Sequence, residues 1–374
     1  MNGAARAECV FHKRGVPDRV PWMEQVISSD VASAIMGRQM HTGGIPLWLA
    51  EAEAWMEGDA AHEQWLDTVL RDLVCFCRQM GIDCAAPPWR LGRKPCAKID
   101  DETFLFDNGA TLWRYDRASG AMGWKRLKGS APSFDDLPAI VEAAQASAAR
   151  YSPSPADFWE YARMRQLAGD DLLVAGRSFL SVPIEPHFLE AVALAPVLIE
   201  RWLDACVENN IKEFRVQKQL GFSVLNGGGD LADNQATIYS PEFFRKVVAP
   251  RYARKVRAAH EMGFSYIFRS DGNIWAITDE LFTGIGCDAY GEIDVDAGMD
   301  LYELHRRYPD LVLWGGLSCG RLLRKGTPQQ VKDEARRLID AIGRDGCLVI
   351  GSSNAIMPGT PPENILALRE AIMQ

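Results

Sequence analysis

The sequence lacks the features that mark several specialised classes of protein. No basic block is present and the formal net charge of the 374 residues is -9, so a surface that neutralises nucleic-acid phosphates is not expected. No apolar run approaches the length of a membrane span, and residues 1–10 hold no apolar signal-peptide core. We therefore expect a cytoplasmic protein that acts on small molecules or binds other proteins.

Cysteine and histidine form no recognisable site pattern. The nine cysteines are irregularly spaced and give neither a zinc-ribbon pattern nor a disulfide framework. Among the six histidines, His62, His260 and His305 fall in predicted helices and are expected at the surface, whereas His41 lies in a glycine-bearing loop. A run of glycines at 227–229 matches neither the phosphate loop nor the dinucleotide fingerprint.

What the chain does contain is a repeated unit of short apolar strand, polar tip and amphipathic helix. Four such strands lie in the C-terminal part, at Ser265–Phe268, Cys287–Glu292, Leu311–Gly315 and Cys347–Gly351. Four more candidates precede them, at Val20–Val26, Ile82–Ala86, Asp171–Phe179 and Gly221–Asn226. Short, continuously apolar strands are typical of buried parallel sheets. The sequence therefore predicts an α/β protein, a single (β/α)8 TIM barrel over residues 1–374, with its chemistry at the carboxyl ends of the strands.

One segment interrupts the alternation of strands and helices. Residues 90–137 carry short alternating aromatic segments with turn signals, and they predict a β-hairpin insertion after the second strand. Trp113, Tyr115 and Trp124 alternate as in a half-buried strand, which indicates packing, with capping of a substrate as the alternative. Before the insertion, Glu51–Met80 has apolar residues at helical spacing and predicts one long helix.

Three residues that follow strands are candidates for catalysis or metal binding. Asp271 comes after an apolar strand, so it is a candidate general acid or base, a metal ligand, or the cap of a helix. Glu292, at the end of the sixth strand, is either functional or paired with Arg269 at the barrel rim. Cys319 follows the seventh strand; buried cysteine is commonly inert, but its thiolate with Asp271 or Glu292 would give mixed zinc ligands.

Further polar residues near the strand ends are predicted to bind substrate. Those in the loop after the fourth strand either orient a polar substrate or satisfy their own loop; they are Asp230, Asp233 and Asn234. The others are Glu24, His41, Asn226, Arg269 and Asn354. We expect the strand-end residues, with Asp83 from the second strand, to surround one cavity.

Several segments resemble the uroporphyrinogen decarboxylase superfamily. They are Ser240-Pro241-Glu242-Phe243-Phe244, Asp271-Gly272, Ala297-Gly298-Met299-Asp300-Leu301, Leu313-Trp314-Gly315-Gly316 and Gly359-Thr360-Pro361-Pro362-Glu363-Asn364-Ile365. The resemblance covers most of the chain and is densest from Asp230 onward. It implies a (β/α)8 barrel and one of two activities: decarboxylation of uroporphyrinogen III, or methyl transfer to or from corrinoid cofactors in enzymes that use methanol, methylamines or methyl ethers.

The chain departs from both branches of that superfamily. Where the decarboxylases carry an Arg-Gln-Ala-Gly-Arg segment that holds substrate carboxylates, this chain has Gly37–Met40. Asp83 matches the aspartate that binds pyrrole N–H groups in the decarboxylases, and Asn354 replaces their histidine. The zinc-dependent methyltransferases keep His-x-Cys-Gly at the fifth strand and a later cysteine, and these positions are here Arg269–Gly272 and Asn354. The usual thiolate zinc site is therefore absent, and the resemblance assigns no metal.

The resemblance leaves three functions open. The first is a methyltransferase that moves a methyl group between a small methylated substrate and a corrinoid protein, with Asp271 and Glu292 in catalysis. The second is a carbon–carbon lyase similar to uroporphyrinogen decarboxylase, in which Asp83, the third candidate for catalysis, binds the pyrroles. The third is a non-catalytic barrel that binds a corrinoid or another tetrapyrrole.

Overall fold

The computed structural model describes all 374 residues, and every predicted barrel strand overlaps a strand or strand bridge in it. The strands, in chain order, are β1 Cys84–Ala85, β2 Ala97–Lys98, β3 Thr103–Phe106, β4 Thr111–Asp116, β5 Ala121–Arg126, β6 Leu173–Val174, β7 Gly176–Phe179, β8 Val224–Gly228, β9 Ser265–Arg269, β10 Ala289–Ile293, β11 Val312–Leu317 and β12 Leu348–Ser352. The last five are buried at almost every position, which explains their continuous apolar sequence.

The parallel strands close into a barrel. Strands β7 to β12 form one sheet in sequential order, and β1 pairs with β6, which runs directly into β7. The gap is closed by the first predicted strand, because Trp22 pairs with Ile350 of β12 and Met23 pairs with Cys84 of β1. All these pairings are parallel. The carboxyl ends of the strands therefore meet at one end of the barrel, as expected for a TIM barrel.

Helices connect successive strands around the outside. They are α1 Gly3–Phe11, α2 Ser29–Met36, α3 Ile45–Glu57, α4 Asp59–Met80, α5 Leu137–Arg150, α6 Trp159–Ala168, α7 Pro186–Leu194, α8 Pro196–Gln219, α9 Pro241–Phe243, α10 Ala249–Glu261, α11 Leu301–Arg307, α12 Pro328–Ala341 and α13 Pro362–Met373. Between β9 and β10 the connection has instead a wide π-helical turn at Glu280–Ile285. None of the helices is both long and apolar enough to cross a membrane.

Helix α1, which the sequence did not indicate, covers the amino-terminal end of the barrel. Its residues Ala7, Val10 and Phe11 belong to one buried cluster with side chains of the barrel strands. The Ser265 hydroxyl, at the start of β9, donates a hydrogen bond of 2.8 Å to the carbonyl oxygen of Phe11. This end of the barrel is therefore filled by protein, and the opposite end is the one available to a ligand.

The insertion is a four-stranded antiparallel meander, β2 to β5, which extends the predicted hairpin. Phe104, Phe106 and Tyr115 are buried against α3 in a cluster of their own. Trp113 lies opposite Trp124 on the neighbouring strand, as the alternation predicts. Packing on α3 thus accounts for the buried aromatic residues.

The segment predicted as one long helix is two helices. Gly58, with φ +121°, separates α3 from α4, and this left-handed backbone favours glycine. The break folds α4 back along α3. As a result His62 is not at the surface as predicted: it is buried, stacks on Trp55 with ring centroids 3.5 Å apart, and lies 3.3 Å from Glu51.

A fully buried lysine should give the stability of the protein a distinctive pH dependence. Lys255 of α10 lies over the rings of Tyr252 and Tyr266 and is 3.4 Å from the Ser178 carbonyl oxygen. Burial lowers its pKa to about 7. Between this value and the ordinary lysine pKa the unfolded chain binds more protons than the folded one, so stability rises with pH. From pH 7 to 8.5 the contribution of Lys255 should rise by about 1–2 kcal/mol, while the contributions of the buried Glu24 and Glu292 change in the opposite direction.

The measurement is the free energy of unfolding by denaturant at both pH values, for the native chain and for Lys255→Met. Between the two pH values the free energy of unfolding should change by about 1–2 kcal/mol more favourably in the native chain than in the variant, which retains the packing volume but has no titratable group. Nearby Cys206 and Cys287 do not interfere, because burial raises the pKa of Cys206 to about 11 and that of Cys287 further. An equal change in both proteins would show that Lys255 does not contribute to the pH dependence.

Candidate functional site

Polar side chains from adjacent strands meet at the open end of the barrel. Asn226 lies in β8, Arg269 ends β9, and Glu292 lies in β10. Asp271 follows β9, and its Oδ2 accepts a hydrogen bond of 2.7 Å from Nδ2 of Asn354, which follows β12. Arg269 Nη1 is 3.7 Å from Glu292 Oε2. We call these five residues the rim cluster.

The position of Asp271 is fixed by a close contact between two loops. Gly272 has φ +79°, and a Cβ there would lie 2.5 Å from the carbonyl oxygen of Asp233, so only glycine fits. The backbone N–H of Asn273 donates to the same oxygen at 2.7 Å. Asp271 itself makes no helix-capping hydrogen bond; Asn273 accepts the one from the Trp275 N–H instead. The predicted capping role of Asp271 is therefore wrong.

Burial and neighbouring charges keep Asp271 protonated to a higher pH than an exposed aspartate. Burial is the largest effect and raises its pKa to about 6. Arg269 acts in the opposite direction, while the carboxylates of Asp230 and Asp294 add repulsion. Asp271 thus changes protonation state near the pH at which most proteins work, a property expected of an acid–base group.

Glu292 is the most strongly perturbed carboxyl group of the rim cluster. Its side chain is 2% exposed, and burial raises its pKa well above the ordinary value despite the nearby Arg269. Repulsion from Asp271, Glu24 and Asp230 acts in the same direction as burial. The pairing with Arg269 that the sequence suggested is present, but it does not outweigh the cost of burying the charge.

Glu24 is buried, and neighbouring protein groups donate hydrogen bonds to its carboxyl group. Its Oε1 accepts hydrogen bonds from Trp22 Nε1 at 2.8 Å and from the Ser352 N–H at 3.1 Å, and its Oε2 accepts one from the Ser352 hydroxyl at 2.5 Å. Burial raises its pKa to about 7. Both oxygens already have partners, so Glu24 does not fit the predicted substrate-binding role. It influences the site because repulsion from its charge raises the pKa of Glu292.

Four buried polar atoms of the rim cluster have no hydrogen-bond partner. They are Asn226 Oδ1, Arg269 Nε, Asp271 Oδ1 and Glu292 Oε1. Buried polar atoms are nearly always paired, because leaving one unpaired costs about 1–3 kcal/mol. A concentration of such atoms at the strand ends of a TIM barrel therefore points to a bound ligand.

Asp83 and His41 do not join the rim cluster. Asp83 precedes β1, on the amino-terminal side, where its carboxylate is 2.6 Å from Arg6 and 2.6 Å from Arg19. The placement of Asp83 in the predicted site is therefore wrong, because β1 begins one residue after it. His41 lies against Trp65 of α4, with ring centroids 6.5 Å apart, and not among the strand-end residues.

The loop after β8 contributes charge at the edge of the cluster. Asp230 is exposed and raises the pKa values of Asp271 and Glu292 by repulsion. Asp233 Oδ1 accepts hydrogen bonds from the backbone of its own loop, at Gln235 and Ala236, which is the structural alternative weighed from the sequence. Asn234 is exposed beside it.

The chain holds no group of three histidine, cysteine, aspartate or glutamate side chains placed to bind a metal. The weak candidates Asp271, Glu292 and Cys319 therefore do not form a ligand set. Burial raises the pKa of the Cys319 thiol, with repulsion from Asp296 and Asp294. A catalytic zinc needs three protein ligands, so the side chains as arranged do not fit one.

Sequence reasoning missed one residue that touches the rim cluster. Gln25 Oε1 accepts a hydrogen bond of 3.1 Å from Asn226 Nδ2. The available signal was its place beside Glu24 in the first strand, because neighbouring side chains of a strand point to opposite faces and Gln25 enters the barrel if Glu24 does not.

Together these observations define a (β/α)8 barrel with an acid-rich cluster of polar side chains at the carboxyl ends of its strands. The uroporphyrinogen decarboxylase (URO-D) family model matches residues 186–374, just over half of the chain. The chain therefore belongs to the uroporphyrinogen decarboxylase family. The matched part contains all five residues of the rim cluster.

Two known proteins show how this chain relates to the family. It is 34% identical to uroporphyrinogen decarboxylase of Nitrosomonas europaea over 107 residues, a match that spans 28% of each protein. Its fold resembles that of a methyltransferase from Methanosarcina mazei, with a TM-score of 0.59 and 16% identity over 100% of this chain and 98% of the other. The second likeness confirms the fold over the full length of the chain.

Proposed function

We propose that the protein is a methyltransferase that moves a methyl group between a small methylated substrate and a corrinoid protein. The observation that carries the proposal is the set of buried, protonatable carboxyl groups with unpaired oxygens, Asp271 and Glu292. The full-length likeness in fold to a methyltransferase supports it. The corrinoid, carried by the partner, would supply the nucleophile that accepts the methyl group.

A buried acid suits this reaction because the leaving group must carry a proton. When a methyl group is removed from oxygen or nitrogen, the bonding electron pair stays on the heteroatom. That atom departs readily only if it carries a proton and so leaves as a neutral group. Glu292, which burial keeps protonated to a higher pH than an exposed glutamate, is placed to hold or supply that proton, and Asp271 shares the task.

Exposed apolar side chains near the strand ends would suit a partner that presents the corrinoid. Phe179 at the end of β7 is 52% exposed, Ile184 is 62% exposed, and Trp89, which follows β1, is 65% exposed. Large apolar side chains near a ligand site are common where another protein docks. This supports the corrinoid protein as partner.

Decarboxylation of a porphyrin-like acid is the second candidate, favoured by the sequence match to a decarboxylase. An acid such as Glu292 would then protonate the carbanion left by loss of CO2. Two observations count against it. Arg38, the arginine in the segment where decarboxylases hold substrate carboxylates, is bonded through both Nη atoms to Asp72, and Asp83 is occupied by Arg6 and Arg19.

The test is a direct comparison of the two reactions. The purified protein is mixed with cob(I)alamin or a corrinoid protein and with methylated amines, alcohols and ethers, and methylation of the corrinoid is followed by its absorbance. In parallel, uroporphyrinogen III is supplied and its products are analysed. Corrinoid methylation supports the proposal. Decarboxylation alone would replace it with the second candidate, and binding without turnover would favour the non-catalytic barrel.

Replacing Asp271 by asparagine should separate chemistry from stability. Asn retains the size of the side chain and can still bond to Asn354, but it carries no titratable proton. We expect the rate to fall by about 10² or more, with a nearly unchanged melting temperature. Rate and melting temperature are measured on the same preparation; an unchanged rate would show that Asp271 is structural.

A further inference from the structure

The last strand of the insertion, β5, leaves one edge of the antiparallel meander open. The sheet order is β2-β3-β4-β5, so β5 pairs with β4 on one side only. All of its residues are exposed except Met122, which is half-buried. The opposite edge strand, β2, has only two residues, the kind of short edge by which proteins avoid unwanted strand pairing. The long unprotected edge is therefore that of β5.

The pairing shows which backbone groups of β5 lie on the open edge. Just beyond the strand, the Leu127 N–H donates a hydrogen bond of 2.8 Å to the Ala110 carbonyl oxygen on the β4 side. Along an antiparallel pair, the backbone groups of successive residues point alternately toward and away from the partner strand. The N–H and C=O groups of Met122, Trp124 and Arg126 therefore point away from β4, where no strand receives them.

The β4–β5 hairpin is basic, although the whole chain is acidic. Residues 110–128 hold five basic residues and one acidic residue, a net charge of +4, whereas the whole chain carries -9. The basic residues, all exposed, are Arg114, Arg117, Lys125, Arg126 and Lys128. The ion pairs of the insertion use other residues, Arg93, Lys94 and Lys98. The positive charge beside the open edge is therefore available to an acidic partner.

The charge also decides which occupant fits this edge. A second copy of the chain, paired edge to edge, would bring Lys125 and Arg126 against the same basic residues, and like charges on paired strands are destabilising. Nucleic acid would match the charge, but its phosphates only accept hydrogen bonds, whereas the edge presents both donors and acceptors. An extended acidic peptide meets both requirements, because its own backbone supplies the complementary groups.

We propose that the open edge of β5 binds an extended acidic segment of a partner protein, which adds a fifth strand to the meander. The outward backbone groups of Met122, Trp124 and Arg126 hold the segment, and the neighbouring basic side chains attract its carboxylates. Trp124, which is 56% exposed and has the Arg126 guanidinium over its ring, offers apolar surface to a side chain of the segment. This surface lies outside the rim cluster, and the inference does not depend on the proposed function.

Peptides of defined sequence test the pairing on the full-length native protein. The first has seven alternating glutamate and valine residues, and the second has lysine in place of glutamate. The third is the acidic peptide with N-methyl groups on two adjacent central residues, which removes one donor from each of its edges. Measured by fluorescence anisotropy of labelled peptides, N-methylation should weaken binding of the acidic peptide by about tenfold, and the basic peptide should not bind. Equal binding of the methylated and unmethylated acidic peptides would overturn strand addition.

A short oligothymidylate with the same number of negative charges distinguishes an acidic segment from nucleic acid. At the same ionic strength we expect it to bind more weakly than the acidic peptide. Equal or tighter binding would overturn the inference, because the surface would then recognise negative charge alone. A failure of the acidic peptide to bind at millimolar concentration would also overturn it.

Two substitutions at one position isolate the backbone donor. Trp124→Ala and Trp124→Pro both remove the indole, but only proline also removes the outward N–H. Proline is tolerated in an edge strand where the N–H faces solvent, and circular dichroism and the melting temperature check that both variants fold. Trp124→Pro should bind the acidic peptide about fivefold or more weakly than Trp124→Ala. Equal binding by two folded variants would contradict the pairing, and if the proline variant does not fold, the methylated peptide decides.

A second matched pair tests the charge. Lys125→Glu and Lys325→Glu change the net charge equally, and Lys325 is exposed between β11 and α12, outside the insertion. Lys125→Glu should weaken binding of the acidic peptide by about fivefold or more, because an attraction becomes a repulsion. Lys325→Glu should leave binding unchanged. Equal loss in both variants would mean that only the net charge of the protein matters, and would reject the site.

Discussion

Asp83→Asn will lower the free energy of unfolding by about 3–5 kcal/mol, or roughly 4–6 °C in melting temperature. The side chain of Asp83 is 3% exposed and accepts one hydrogen bond from Arg6 and two from Arg19, with a fourth of 3.0 Å from the Trp22 N–H. The change leaves Arg19 without a negative partner and leaves Arg6 with only the half-exposed Asp18. Breaking a buried ion pair from one side costs far more than losing a surface pair, because the remaining charges are uncompensated.

A matched control lies in the same network. Asp18 also pairs with Arg6, at 2.7 Å, but its side chain is 46% exposed, so Asp18→Asn should cost about 0–1 kcal/mol. Both variants should retain the native turnover rate per folded molecule at low temperature, since Asp83 is on the filled side of the barrel. Lost turnover with an unchanged melting temperature in Asp83→Asn would return Asp83 to the active site.

The barrel was predictable because its strands bury both faces. Segments such as Leu348–Ser352 are buried at every position, so their sequences are short apolar runs that differ plainly from the amphipathic helices between them. Helix α1 was not predictable in this way. Its buried residues Ala7, Val10 and Phe11 occupy barely two turns, and only the closed barrel shows that they fill its amino-terminal end.

Whether a predicted site residue lies at the open end of the barrel depends on where its strand begins and ends. Asp271 and Asn354 are 83 residues apart yet form a hydrogen bond, as expected for residues that directly follow parallel strands. Asp83 was expected inside a strand that was predicted to begin at Ile82. The strand begins at Cys84, so Asp83 belongs to the opposite end of the barrel. A shift of one residue turns a side chain to the other face of its strand, and each residue of shift moves it by about 3.3 Å along the strand.

Long-range burial was the part that the sequence could not show. His62 looks like a surface residue in its helix, but the break at Gly58 brings Trp55 and Glu51 of the preceding helix against it. Similarly, the sequence around Glu292 does not show that its pKa is raised, because the repulsion comes from Glu24 and Asp230, which lie on other strands or loops. Burial and charge at the site are properties of the closed barrel.

Glu292→Gln should reduce turnover by about 10² or more without destabilising the protein. Glutamine occupies the same volume in the buried site but cannot give a proton or become a carboxylate. The stability effect follows from the raised pKa of Glu292. Such a group stabilises the fold below its unfolded pKa, and the contribution is lost as pH rises through the folded pKa. Above neutral pH the variant should therefore be at least as stable as the native protein.

The pH profile distinguishes an acid from a residue that only packs. In the native protein the rate should fall on the alkaline side as Glu292 loses its proton, and in Glu292→Gln this limb should disappear from the small residual rate. Rates from pH 5 to 9 are measured beside Asp310→Asn, a change at an exposed residue just before β11, at the amino-terminal end of the barrel, which should follow the native profile. If Glu292→Gln is fully active and keeps the native alkaline limb, Glu292 is not the acid. The remaining buried carboxyl group with an unpaired oxygen is then Asp271, whose pKa is raised to about 6.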